Sequence, residues 1–194
     1  MKTSNYTMVI TGLGGQGIVR FIQILGDALM NKGYMVITSE THGLSQRGGK
    51  VKCFLRYGDR LLAPIPMNAS ADMIITLEKS CILDVLNYAK LDKSTNLIIS
   101  EYKKPLKNQK YISDEYFKQK LSDYSENIHH VSIFEIKNEI KSLNTLILGY
   151  ILSFVPLTFQ DVQESLKTYF SGEILDANLK ILRIGKNIKG NNTP

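Results

Sequence analysis

Tyr6-Thr7-Met8-Val9-Ile10-Thr11-Gly12-Leu13-Gly14-Gly15-Gln16-Gly17-Ile18 is the stretch that decides the fold. Its first half is a short apolar run with β-branched residues, bounded by glycine, as a buried strand is. Ile18, Phe21, Ile22, Leu25 and Leu29 then recur at a spacing near 3.6, which predicts a helix to Lys32. Gly33 supplies a left-handed stop. Met35-Val36-Ile37-Thr38 is a second strand. Strand, glycine turn, helix and strand make a βαβ unit with a right-handed crossover, the building block of a parallel sheet.

Working outward, Ser39 to Lys50 is polar and glycine-bearing, without apolar periodicity, and is expected to be a loop. Val51, Cys53, Leu55 and Tyr57 alternate with Lys52, Phe54 and Arg56 as a strand does, and Gly58-Asp59 predicts a hairpin turn into Arg60 to Ile65. Met73 to Leu77 and Asn96 to Ser100 are buried strands, with a helix carrying Ile82, Leu83, Val85, Leu86 and Leu91 between them. Tyr102 to Gln109 is a charged loop. A short helix with Tyr116, Phe117 and Leu121 follows Ser113-Asp114, and His129 to Ile133 is a further strand.

The C-terminal third reads as helical. Leu143 to Phe154 is a buried helix, apolar almost all round. Thr158 is a good N-cap with Asp161 three residues on. Gly172 interrupts, a last helix carries Ile174, Leu175, Leu179, Leu182 and Ile184, and Gly185 ends it. Residues after Lys189 are expected to fray. The predicted class is α/β, a Rossmann-like layered domain with a mainly parallel sheet and a helical C-terminal subregion.

At 194 residues, 43% hydrophobic and 22% charged, the chain is long enough to bury one core without staples. The net charge of +6 comes from scattered lysines with no aromatic interleaving, so no nucleic-acid partner is expected. Two cysteines, Cys53 and Cys81, are too few for an iron–sulfur cluster or a structural zinc, and both read as small core residues. The uncharged stretch from Ser142 to Gln160 holds Asn144, Thr145 and Pro156, so no membrane span is expected. Free thiols and a start that runs straight into a strand suggest the cytoplasm.

Two segments carry candidate chemistry. Gly12, Gly14 and Gly17 satisfy G-x-G-x-x-G between strand and helix, where small residues let backbone amides approach an anion. Gly15 and Gln16 are not required by that pattern. Glu40 lies near the place where a nicotinamide fingerprint wants an acid, which keeps open a self-sufficient NAD(P)- or FAD-binding enzyme. The plain alternative is a tight turn that binds nothing in the isolated chain. The second segment is Ser39 to Gly49, with Glu40, Thr41, His42, Gln46, Arg47, Gly48 and Gly49, at the strand edge where open α/β sheets bind ligands. Arg47 before two glycines has room to fork onto a carboxylate or phosphate, though a solvated loop or a protein contact fits as well. His42 has no nucleophile or carboxylate partner, His129 and His130 have no metal spacing, and no catalytic residue is identified.

Taken together, G-L-G-G-Q-G at 12–17, S-E-T-H-G-L-S-Q-R-G-G at 39–49 and N-T-L-I-L-G at 144–149 resemble the gamma-type subunit of 2-oxoacid:ferredoxin oxidoreductases. Within that family the H-G-x-x-Q-R-G-G loop is most similar to the beta subunit of indolepyruvate ferredoxin oxidoreductase. Ala71-Asp72, Leu77-Glu78 and Val155-Pro156-Leu157 extend the likeness over nearly the whole chain. The resemblance implies a single gamma-type domain over residues 1–194. It also implies an enzyme that oxidatively decarboxylates a 2-oxo acid, passes electrons to ferredoxin and forms an acyl-coenzyme A. Thiamine diphosphate and iron–sulfur clusters would then sit on a large partner subunit. Gly12 to Gly17 and Gln46 to Gly49 would face that partner and shape the cofactor or coenzyme A end of its site. The isolated chain is expected to be inactive, with a homodimer as an option.

Overall fold

A computed structural model of the chain describes residues 5–42, 49–61, 63–105, 111–134, 136, 142–188 and 191–192. Strand β1 (Tyr6–Leu13) runs through the centre of the sheet. Helix α1 (Ile18–Asn31) follows the glycine turn and packs Phe21, Ile22, Leu25 and Leu29 onto one face. Gly33, at φ 90°, lets the chain turn out of it as expected.

The second strand corrects the predicted loop. β2 (Met35–His42) continues through Ser39, Glu40 and Thr41 and pairs antiparallel with β3 (Lys50–Gly58), from Met35 opposite Gly58 to His42 opposite Val51. β3 also pairs antiparallel with β1, from Tyr6 opposite Tyr57 to Leu13 opposite Lys50. The expected βαβ unit is therefore split, with β3 inserted between β1 and β2. The predicted hairpin into 60–65 is overturned for the same reason. Both edges of β3 are taken, so the described part of 60–65 joins no strand. Side chains draw that segment over the sheet instead. Asn5 Nδ2 donates to the Arg60 carbonyl at 2.6 Å, Arg56 Nη1 to the Ala63 carbonyl at 2.6 Å, and Ser39 Oγ to the Pro64 carbonyl at 3.2 Å.

β4 (Met73–Thr76), β5 (Asn96–Ser100) and β6 (Asn127–Val131) extend the sheet from β1 in parallel. The order is β2-β3-β1-β4-β5-β6-β7, with β7 (Asn191–Asn192) antiparallel to β6. Five of the seven strands among the described residues point the same way, because β2, antiparallel to β3, runs along β1. Asn191 and Asn192, in the tail expected to fray, are thus paired. Where a helix was expected between β4 and β5 there are two 3₁₀ turns, Lys79–Asp84 and Leu86–Tyr88. The Glu78 carboxylate accepts from the Ser80 and Cys81 amides and tightens the first of them. Leu91, predicted on the apolar face, is 91% exposed.

Helix α2 (Asp114–Ser122) starts at the Ser113 cap. It joins the 3₁₀ turns on one face of the sheet, over Val9, Phe54, Ile74, Leu97 and Ile99. On the other face α1 is backed by α3 (Leu143–Tyr150), α4 (Phe159–Tyr169) and α5 (Gly172–Asn187), which share its core. Thr158 and Asp161 form the predicted capping box of α4. Gly185 does not end α5. It lies inside the helix, where α3 crosses, and α5 runs on to Asn187. Among the described residues no helix is long and apolar enough to cross a membrane.

Candidate functional site

The carboxyl ends of β1, β4, β5 and β6 lie along one edge of the sheet, and two polar assemblies stand there. Such an edge is where open α/β sheets take ligands, above all where successive connections leave on opposite faces. That point falls between β1 and β4, since α1 covers one face and the 3₁₀ turns the other.

The glycine turn is the first assembly. Gly15 and Gly17 adopt left-handed φ angles of 93° and 75°, and Gly12 has no room for a side chain against Gln16, Ile18 and Leu77. Gln16 is the unexpected member. Its Oε1 accepts from the Leu13 amide at 2.6 Å and its Nε2 donates to the Leu77 carbonyl at 3.1 Å, so the side chain wedges the space between the ends of β1 and β4. The Gly14 amide donates to the Gly49 carbonyl at 2.8 Å, and the Gln16 amide to the Leu13 carbonyl at 3.1 Å. Three of the turn's amides are thereby bonded within the protein. The turn is braced before any ligand arrives.

The Gly14–Gly49 bond brings the two sequence segments together. Glu40 and Thr41 sit on opposite faces of β2, because adjacent strand residues alternate, and Glu40 stands opposite Cys53. His42 pairs with Val51 through the backbone. Gln46, Arg47 and Gly48 lie outside the described residues. On the face of the sheet opposite α1, that of Val9, Phe54 and the 3₁₀ turns, Thr11, Thr41, Lys50, Lys52, Asp84 and Val85 line a cavity of about 290 Å³. The Thr11 and Thr41 hydroxyls donate to the Val51 and Lys52 carbonyls, each at 3.1 Å. Lys50 meets Asp84 at 2.6 Å. Partial burial works against its charge, but the Asp84 carboxylate outweighs that and raises the lysine's pKa.

The second assembly escaped the sequence. Glu78, 1% exposed, accepts from the Ser80 amide and hydroxyl, the Cys81 and Lys104 amides and the Tyr111 hydroxyl. Burial opposes its charge, yet these donors hold its pKa below the ordinary carboxylate value. Beside it Lys79, 6% exposed, reaches Glu101 and Asp114, each at 3.2 Å. His130 Nδ1 lies 2.6 Å from Glu101 Oε1. That hydrogen bond, and then Lys79 against the pull of burial, lower the Glu101 pKa, so Glu101 is a carboxylate and the imidazole donates. Lys79, Asp114, Phe117, Leu121, Ile128 and His130 line a cavity of about 620 Å³ beside α2. The available signal was positional: Glu78-Lys79 and Glu101 each directly follow a buried strand.

Neither assembly presents an activated nucleophile. Burial, and then the charge of Glu40, push the Cys53 thiol up to about 12, while burial and Glu78 push Cys81 up to about 12. Both remain thiols at neutral pH. Among the described residues no group of three or more His, Cys, Asp and Glu side chains is arranged to hold a metal ion.

The fold and this edge define the class: a single-sheet α/β domain with a glycine turn at the carboxyl ends of its parallel strands. The family model described as pyruvate ferredoxin/flavodoxin oxidoreductase matches residues 7–188, and the chain belongs to that family. It is similar to the indolepyruvate oxidoreductase subunit IorB of Archaeoglobus fulgidus, at 30% identity over 191 residues and 93% of each chain. It is similar to the common gamma subunit of the pyruvate/ketoisovalerate oxidoreductases of Pyrococcus furiosus, at 27% identity over 89% of this chain and 90% of that one. Two solved structures share the fold. Pyruvate oxidoreductase subunit PORC of Thermotoga maritima has a TM-score of 0.66 at 20% identity, over 95% of this chain and 96% of that one. The 2-oxoglutarate:ferredoxin oxidoreductase of Magnetococcus marinus, with 2-oxoglutarate, coenzyme A and succinyl-CoA bound, has a TM-score of 0.72 at 19% identity over 96% of this chain. This chain spans 31% of that longer one.

Proposed function

We propose that this chain is the small supporting subunit of an indolepyruvate or arylpyruvate ferredoxin oxidoreductase, in the cytoplasm, acting with a large subunit. In the assembled enzyme a 2-oxo acid loses carbon dioxide, its acyl group is transferred to the coenzyme A thiol, and the electron pair passes to ferredoxin. The observation that carries this reading is the end-to-end likeness to IorB, 93% of both chains, in a protein whose own thiols are buried and unactivated.

The residues present divide the cofactors. Iron–sulfur clusters do not fit this chain, whose two cysteines are both buried within the core, and thiamine diphosphate is assigned with the clusters. They would belong to the large subunit, where they supply the decarboxylation and electron-transfer chemistry. The anionic end of coenzyme A would find cations at this edge. Lys50 and Lys52 line a cavity with Thr11 and Thr41 on the face opposite α1, at the strand ends from which the glycine turn also leaves, and Gly14 joins that turn to Gly49. Gly12, Gly15, Gly17 and Gln16 keep the turn in shape, Thr41 lines the cavity, and Gln46, Arg47 and Gly48 complete the proposed contact with coenzyme or partner. Glu40 and His42 belong with that contact too.

The geometry does not favour a self-sufficient nicotinamide or flavin enzyme. That pattern places the acid on the strand next to the glycine turn. Here β3 intervenes, and Glu40 is two strand spacings, about 10 Å, from β1. Reconstitution tests the proposal. The purified chain alone should oxidise no 2-oxo acid, and activity should appear when the large subunit is added. Turnover by the lone chain, or micromolar binding of NAD, NADP or FAD, would overturn it.

A further inference from the structure

Helix α3 is buried at all eight positions, and the two at its start that stand out are polar, Asn144 and Thr145. Buried amides persist where their hydrogen bonds are made. Asn144 Oδ1 accepts from the Thr145 amide at 2.9 Å, and Asn144 Nδ2 donates to the Gly17 carbonyl at 3.3 Å. Thr145 Oγ1 donates to Asn178 Oδ1 on α5 at 2.6 Å, and Asn178 Nδ2 donates to the Ile174 carbonyl at 2.8 Å. One polar chain therefore runs from α5 through α3 to the glycine turn.

Its end point is sensitive. Gly17 is the N-cap of α1, at φ 75° and ψ 28°, and among the described residues no side chain caps that helix. The Gly17 carbonyl also accepts from the Phe21 amide at 2.9 Å, so Asn144 grips the peptide on which the first turn of α1 is built. A Cβ at position 17 would lie 2.6 Å from Asn144 Nδ2, which leaves glycine as the residue that fits both the angle and the contact.

We propose that Asn144 is a positioning residue: by holding the Gly17 peptide, it fixes the direction in which the first amides of α1 point. α3 and α5 then form the frame against which the glycine turn is aimed. The attraction of a helix start for an anion fades within one turn, so its value depends on where those amides stand. The functional half of this inference rests on the reading of the turn as the coenzyme-facing element.

Amide hydrogen exchange on the full chain tests the structural half without any ligand. Asn144→Ala should speed exchange over residues 17–21 about tenfold, the equilibrium worth of one hydrogen bond, and leave β4 and β5 protected. Asn144→Asp keeps the size and the acceptor but turns an oxygen toward the Gly17 carbonyl, so it should loosen the same residues. It guards against a misfolded alanine variant. Unchanged exchange over 17–21 in both variants would overturn the proposal. In the assembled enzyme, Asn144→Asp should raise the KM for coenzyme A about tenfold with kcat within about twofold. A loosened turn with an unaltered KM would leave Asn144 in its role and sink the coenzyme reading of the turn.

Discussion

Gly149 of α3 and Gly185 of α5 stand against each other where the two helices cross. A Cβ on Gly149 would run into the Leu182 carbonyl oxygen, and one on Gly185 into the Leu146 carbonyl oxygen. Both obstacles are backbone, which has no rotamer to change. Gly185→Ala must therefore push the helices apart along a shared core of Leu146, Ile181 and Leu182. The gain in helix propensity, about 1 kcal/mol, offsets only part of the overpacking, and a net loss of about 2 kcal/mol is expected. Urea unfolding reads it directly. A midpoint equal to or above that of the parent chain would show that the crossing has slack.

The same glycine illustrates what the sequence conceals. A glycine after an apolar helical run marks a stop as readily as a close crossing, and only the partner helix decides. β5, the Ser113 cap of α2 and the Thr158–Asp161 box were legible because each depends on residues a few positions apart. The insertion of β3 between β1 and β2 was not: His42 and Val51 pair across a short connection, but Lys50 finds Leu13 only once strands distant in sequence come together. At the site, the glycine turn was legible from its strand–helix context. The wedge made by Gln16 and the Glu78, Lys79, Glu101 and His130 cluster were not, because three strand ends converge there after the register is set.

Glu78 anchors that cluster. Its carboxylate gathers the Ser80, Cys81 and Lys104 amides with the Ser80 and Tyr111 hydroxyls, and so ties the segment after β5 onto the end of β4. In Glu78→Gln one oxygen becomes an NH₂ group facing donors. The expected loss is about 2 to 3 kcal/mol, in the range for hydrogen bonds to a buried charge. Tyr111→Phe removes a single donor and should lose about 1 kcal/mol. Equal midpoints for Glu78→Gln and the parent chain would mean the carboxylate is dispensable.

Arg47 tests the proposed contact surface. Arg47→Ala should lower turnover of the assembled enzyme about tenfold or more, if its guanidinium meets an anion or the partner. The unfolding midpoint of the isolated chain should stay within about 0.5 kcal/mol of the parent, as expected of an arginine in a polar, glycine-bearing stretch of sequence. Unchanged assembly and turnover would remove the 39–49 segment from the functional surface.

His129 predicts how stability depends on pH. It is 9% exposed, its ring packs edge-on against Phe154, and its Nδ1 lies 3.3 Å from the Tyr150 hydroxyl. Burial, and secondarily the neighbouring His130, lower its pKa below the ordinary 6.5. The unfolded chain therefore binds a proton at His129 before the folded chain does. The stabilisation is fully present above about 6.5 and is lost as pH falls from there toward the folded pKa. The slope contributed is at most about 1.4 kcal/mol per pH unit. Glu101 and Glu78, whose pKa values are lowered, add a further loss only in the more acidic carboxylate range. His129→Phe keeps a ring among Tyr150 and Phe154 and removes the titration. Urea midpoints taken from about pH 7.5 down to about pH 5.5 should then fall less steeply than in the parent chain. Parallel slopes would show that the imidazole takes up its proton equally well in the folded core.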